Sequence, residues 1–199
     1  SLMSQTLAHV EDPETLMNFA RQLQFGPSEF KPWGQEIYLQ GETLALAQFN
    51  EASHPAVAVD ILHKLTRRQV LDFGRGSAAI ELWDGMDARK KDWLWSESAL
   101  FWEYLGYLFA AYVQINDDAG AEEFAIDFLE DPASPSSGLP YVAIPYARHL
   151  IAAGRANEGL VVCEQMAACS PRHPLCAWAW YWMALKAWRE AAPERAKAY

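Results

Sequence analysis

Apolar residues recur along this chain mainly at intervals of three and four, the period that lines one face of an α-helix. The first such stripe is Leu16, Ala20 and Leu23. It follows Asp12-Pro13-Glu14, where a capping acid, a proline suited to the first turn and an early carboxylate mark a helix start. The pattern breaks at Phe25-Gly26-Pro27, and Pro27, Pro32 and Gly34 predict an irregular loop pinned to the core by Phe30 and Trp33. Over residues 36–50 two patterns compete. Ile37-Tyr38-Leu39 and Leu44-Ala45-Leu46, separated by Gly41-Glu42, alternate enough for a hairpin. Glu42 to Asn50 is nevertheless rich in helix formers, and a lone hairpin would have no sheet to join, which favours helix.

From Pro55 the helical period is firmer, with Val57, Ile61, Leu62 and Leu65 on one face. Thr66-Arg67-Arg68-Gln69 has capping-box spacing and predicts a new helix with Val70, Phe73, Ser77 and Ile80 on its face. Gly85 and Asp87 mark the next break. Asp92 to Ile115, with Trp93, Trp95, Phe101, Trp102, Leu105, Leu108 and Phe109, reads as one long central helix. Asn116 to Gly120 is a turn, Ala121 to Leu129 a short helix, and Asp131 to Gly138 a stretch of breakers. The expected organisation is all-α, built of antiparallel helical hairpins: a helical body over 3–130, a linker over 131–140, and a TPR-like hairpin with a closing helix over 141–199, together forming one compact unit. Ser1-Leu2, ahead of Met3, reads as an expression scar.

With 199 residues, 51% of them hydrophobic and 13% aromatic, the chain can bury a sizeable core. Its formal net charge of -10 argues against nucleic acid, whose binding is driven by Lys and Arg displacing counterions. The apolar run from Ala99 to Ile115 contains Glu103 and is shorter than the ~20 residues a bilayer requires, so no membrane span is expected. The start at Met3 shows no basic and apolar regions of signal-peptide type. Three cysteines, Cys163, Cys169 and Cys176, are an odd number and fit a reducing compartment, so a cytoplasmic protein is expected.

No catalytic, cofactor-binding or metal-ligating set is predicted. Cys169, His173 and Cys176 lack the paired spacing of zinc sites. Asp72-Phe73-Gly74-Arg75-Gly76-Ser77 is glycine-rich, but it is expected to lie within a helix, without the preceding strand or the lysine of a phosphate loop. The remaining histidines have no evident nucleophile beside them, and Asp117-Asp118 and Glu122-Glu123 read as solvated acids at a helix start.

Residues 141–174 resemble a tetratricopeptide repeat, the helix-turn-helix unit of TPR proteins. Tyr146, Ala147 and Leu150 fall at the large, small and large positions of its first helix. Gly154 falls at the turn, Gly159 at the small position of the second helix, Cys163 at its aromatic position, Met166 at a further small position and Pro171 at the close. Trp102, Leu105, Gly106 and Phe109 match the first helix of another such unit. The departures are Gly159, Met166 and Cys163 in place of the usual residues, and Pro145 within the first helix, where it is expected to kink or shorten it. The resemblance implies a TPR-like or α-solenoid-like bundle that works by presenting surfaces. The Lys and Asn clamp by which some TPR proteins hold acidic C-terminal peptides is missing, since the corresponding helix offers Arg148 and His149.

The last helical run, Ala177 to Trp188, carries the aromatic excess. Trp178, Trp182, Leu185 and Trp188 share a stripe, while Trp180 and Tyr181 lie on other faces. Such a helix either tucks wholly into the preceding body or docks a second molecule. The expected function is non-enzymatic: a helical-repeat protein that binds a protein or peptide partner, of the secretion-chaperone or assembly-adaptor kind. Its candidate contacts are Trp178, Tyr181, Trp182, Trp188, Arg148 and His149. The alternatives are a small-ligand-binding or enzyme-accessory protein with an aromatic pocket and a structural homodimer.

Overall fold

Helix α1 (Pro13–Gln24) starts where the sequence places it, because the Asp12 carboxylate accepts from the N–H groups of Glu14 and Thr15 at 3.3 and 2.9 Å. The computed structural model describes residues 9–95, 99–131 and 134–190. Among these residues it contains ten α-helices, one short 3-10 turn and no strand. The chain forms two compact units, residues 1–115 and 116–199.

In the first unit, Ser28–Phe30 forms the 3-10 turn and α2 (Lys31–Glu51) follows directly. The favoured helix over 36–50 is present. The irregular loop expected through Pro32 and Gly34 is not, and Trp33 is 44% exposed. Proline is tolerated in a first turn, and the glycines serve close packing. A β-carbon on Gly34 would lie 3.0 Å from the Ala20 carbonyl oxygen, and one on Gly41 would lie 2.9 Å from Cγ of Met17. The α1–α2 crossing thereby buries Leu16, Met17 and Ala20 against Ile37, Tyr38 and Ala45.

Helix α3 (Pro55–Leu71) is capped by His54, whose Nδ1 accepts from the Ala56 N–H. It runs through Thr66–Gln69, so the predicted helix start there is overturned. Both residues are buried, and the glutamine side chain donates to Glu42 on α2 at 2.6 Å instead of turning back to a cap. The chain breaks later, at residues 72–75, with Gly74 at φ 64°. The glycine-rich segment is therefore an interhelical turn, and α4 (Gly76–Asp84) begins inside it. The element before the turn is a helix, so the strand that a phosphate loop requires is not there.

Helix α5 (Ala88–Leu94) is capped by Asp87, which accepts from the Lys90 N–H at 2.7 Å. Trp95 leaves the helical conformation at φ -61°, ψ 102°, and α6 (Ala99–Gln114) follows. The single helix expected from Asp92 to Ile115 is thus two. The bend lets the Trp95 ring meet Phe101 and Trp102 edge-on at 5.6 and 5.4 Å. Helix α6 is the core element, with Phe101, Trp102, Tyr104, Leu105 and Leu108 essentially inaccessible, and it packs on α3 and α4. Its last residue, Gln114, accepts from the Gly76 N–H and donates to the Val70 carbonyl, both at 2.8 Å, which ties α6 to the α3–α4 connection. Among the described residues no helix is long and apolar enough to cross a membrane.

The second unit opens at Asn116, a non-glycine residue at φ 59°. Asp117 caps α7 (Asp118–Glu130) through the Gly120 N–H at 2.9 Å. Then come α8 (Pro140–Ala152), α9 (Ala156–Cys169) and α10 (Cys176–Arg189). The division after Ile115 differs from the boundary expected at 131–140, which lies inside the second unit. The reason is that α7 packs on α8 and is joined to the α8–α9 turn by Arg155. Its guanidinium makes two bonds to Glu122, at 2.7 and 2.9 Å.

Candidate functional site

In α8 the pyrrolidine of Pro145 removes a single backbone donor, the one that would reach the Tyr141 carbonyl. The helix continues past it to Ala152, so the expected shortening is absent. Val142, Ala143, Tyr146, Ala147 and Leu150 still form a continuous buried stripe. Gly154, at φ 83°, turns the chain into α9. A β-carbon on Gly159 would stand 2.6 Å from the Ala147 carbonyl oxygen, so these two small residues mark the α8–α9 crossing. Helix α9 ends at Cys169, just ahead of Pro171. Helix α10 packs along α9 and also meets α8.

The inward face of α10 is made of Cys176, Ala179, Met183 and Ala187, at helical spacing. Three of these are small, so the helix sits close and its large rings are displaced to the flanks and the outside. Trp178 is 46% exposed, Tyr181 54% and Trp188 68%. Full burial of the aromatic stripe, one of the two outcomes open to the sequence, does not occur. Trp182 is half-buried. The Arg148 guanidinium lies over the Trp178 ring at 4.9 Å, and Tyr181 meets Trp178 and Trp182 edge-on at 6.2 and 5.7 Å. Five of the six residues singled out from sequence therefore lie on α10 or against it. His149 is placed elsewhere: its Nε2 faces the Asp118 carboxylate on α7 at 3.3 Å.

Beside this aromatic edge runs a groove of about 470 Å³, bounded by Ile151 and Leu160 on one side and by Trp182, Leu185, Lys186 and Arg189 on the other. Lys186, Arg189 and Glu190 give it charges of both signs at its α10 end. It contains no nucleophile set beside a histidine. Among the described residues no three His, Cys, Asp or Glu side chains converge to hold a metal ion. The soft ligands of this region are turned to separate tasks. Cys176 Sγ lies 3.7 Å from the Met166 carbonyl, the His173 ring meets Tyr141 edge-on at 4.9 Å, and Cys169 is exposed.

The acidic residues of the second unit hold its helices together. Glu122 accepts from Arg155 and from the Tyr146 hydroxyl, the latter at 3.1 Å. The Arg155 hydrogen bond holds the Glu122 carboxyl below the usual carboxylate range. Burial, with the neighbouring carboxylate, pushes the Tyr146 hydroxyl up to about 12.

A second polar constellation, in the first unit, was not anticipated from sequence. Glu42 is buried, accepts from Gln69 at 2.6 Å and pairs with Arg75 at 3.1 Å. Tyr38 stacks on Phe73 with ring centroids 3.9 Å apart, and Arg75 approaches the Tyr38 face at 5.8 Å. The signal was present in the stripe Tyr38, Glu42, Ala45, Phe49, where an acid occupies a core-facing position between apolar ones. A second strand of evidence was Thr66 and Gln69 continuing the Leu62–Leu65 face. Compared with family models, curated proteins and solved structures, the chain shows no match.

Proposed function

We propose that this is a non-enzymatic, TPR-like helical-repeat protein that binds another polypeptide through the outer face of α10 and the adjoining groove, in the manner of a secretion chaperone or assembly adaptor. The observation that carries the reading is the exposure of Trp178, Tyr181 and Trp188 on α10, the helix that also lines a groove with Trp182 and Leu185. Monomeric soluble proteins rarely leave contiguous apolar surface of this kind without using it. Tryptophan, tyrosine and arginine are the residues that dominate binding hot spots. The Ala147–Gly159 crossing, the turn at Gly154 and the contact of α10 with both helices of the hairpin are what a TPR unit followed by the next first helix would have, and they support the repeat reading. A cytoplasmic setting suits the free thiols Cys163, Cys169 and Cys176.

The test is affinity capture from native extract with the full chain and with a Trp178→Ala/Trp188→Ala double variant, each checked by thermal denaturation. A partner retained by the parent and lost by a double variant of unchanged stability is the expected result. Equal capture by both proteins would overturn the proposal. A doubled mass in light scattering that the double variant abolishes would replace it with the homodimer reading.

A further inference from the structure

The groove along α10, of about 470 Å³, has the size of a small-molecule site. None of the exposed rings Trp178, Tyr181 and Trp188 lines it, so it can take a ligand whether or not those rings hold a polypeptide. Ile151 and Leu160 form one wall, and Trp182, Leu185, Lys186 and Arg189 form the other. Positions 182, 186 and 189 follow at helical intervals, so a single line along α10 passes from an indole to two cations. The step from Trp182 to Arg189 spans about 10 Å along the helix axis.

The two ends of this line differ in charge. Lys186 and Arg189 stand against one lining carboxylate, Glu190, and none of the three has an ion-pair partner among the described residues. The lining is therefore positive by one charge. Glu158, next to the lining residue Asn157, projects from the other side of α9, where Arg155 donates to it at 2.6 and 2.9 Å. Helices α9 and α10 run antiparallel, since Cys176 at the start of α10 meets Met166 near the end of α9. Glu164, one turn beyond Leu160, thus lies toward the Trp182 end and away from the cations. The first turn of α9, which no side chain caps, lies at the cationic end and offsets the carbonyl end of α10.

An anion is favoured at one end only, and apolar side chains occupy the length between. That polarity fits a molecule with one charged head and a hydrocarbon tail, and it disfavours a second acid at the far end. A cavity of about 150 Å³ holds benzene, so the groove is large enough for a medium-length chain.

We infer that the groove binds a medium-chain monocarboxylate, its head against Lys186 and Arg189 and its chain along Leu185, Trp182, Leu160 and Ile151. The probe is octanoate, with octylammonium as its counterpart of opposite charge and butyrate as its short homologue. Each is titrated into the purified full-length chain, without any partner, by calorimetry and by ligand-observed saturation-transfer NMR. This keeps the outcome separate from that of the polypeptide-capture experiment. Octanoate is expected to bind saturably, and octylammonium and butyrate each at least about tenfold more weakly. The Lys186→Gln/Arg189→Gln double variant should weaken octanoate by about tenfold or more and leave butyrate unaffected. Absence of saturable octanoate binding at tens of millimolar would overturn the assignment. So would octylammonium binding as tight as octanoate, a result read on the parent chain even if the double variant fails to fold.

Discussion

Gly159 lies so near Ala147 that any side chain on it would collide with the backbone of α8, since a β-carbon there falls 2.6 Å from the Ala147 carbonyl oxygen. Alanine is normally the better helix former by about 1 kcal/mol, so Gly159→Ala would stabilise an isolated α9. In the folded chain the obstacle is a carbonyl, which cannot rotate aside as a side chain would, and overpacking of this kind costs about 1–3 kcal/mol. The net effect expected in urea denaturation is a lower midpoint for the second unit. A rise in midpoint would mean that the two helices do not cross there.

The outer ring of α10 and the core ring of α6 should respond to truncation by very different amounts. Trp188→Ala removes a side chain that is mostly in water and should change stability by no more than about 0.5 kcal/mol. Trp178→Ala also loses the Arg148 contact, worth about 0.5–1 kcal/mol at an exposed site. Trp102→Ala, on the buried face of α6, should cost about 3–5 kcal/mol. Chemical denaturation of the three variants checks the order, and an unfolded Trp188→Ala protein would show that this ring belongs to the core.

Acid should loosen the second unit through Glu122. Its folded carboxyl titrates below the ordinary value of 4.5 because of the Arg155 hydrogen bond, so the unfolded chain takes up its proton at a higher pH than the native one. The contribution is complete above about pH 4.5 and is lost as pH falls through the lowered native value. Glu122→Gln removes this component, so its melting temperature should fall less steeply than the parent's on acidification. Both groups are largely solvated, which keeps the effect modest. Parallel slopes for the two proteins would show that the Arg155 pair does not influence stability.

The three thiols should separate by accessibility. Burial pushes the Cys163 thiol up to about 11 and raises that of Cys176, while Cys169 is exposed. Since the thiolate is the reactive form, iodoacetamide at about pH 8 should label Cys169 alone in the native protein and all three once denaturant is added. Mass spectrometry of the labelled peptides reads the result. Native labelling of Cys163 would contradict the packing of α9.

Much of the helix order was legible because starts and stops are local chemistry. Asp12 caps α1 with its own carboxylate, Pro55 occupies a first turn, Asp87 caps α5, and Gly154 takes a positive φ that other residues resist. The same local logic failed at Thr66–Gln69. There the capping-box spacing is genuine, but Glu42, 27 positions earlier, supplies a better partner for the glutamine. It failed again at Pro32 and Gly34, where residues that usually signal a loop instead fit a first turn and a tight crossing. Of the residues proposed for partner binding, those on α10 could be named from their aromatic excess. His149 could not be told from Arg148, its neighbour, until Asp118 was seen to face it. Tyr38 and Arg75 went unnoticed because the sequence separates them by 37 positions.

The sequence by itself determined that this protein is all-α and where most of its helices begin, because capping, backbone dihedral preference and apolar period act over four residues or fewer. Only the tertiary structure decided which face each helix turns inward. Along α10 the sequence left both burial and exposure of the large aromatic residues open, and the face turned inward consists of Cys176, Ala179 and Ala187 with Met183 as its one long side chain. Burial is set by the shape of what packs against a side chain, and that surface comes from segments that no local pattern identifies.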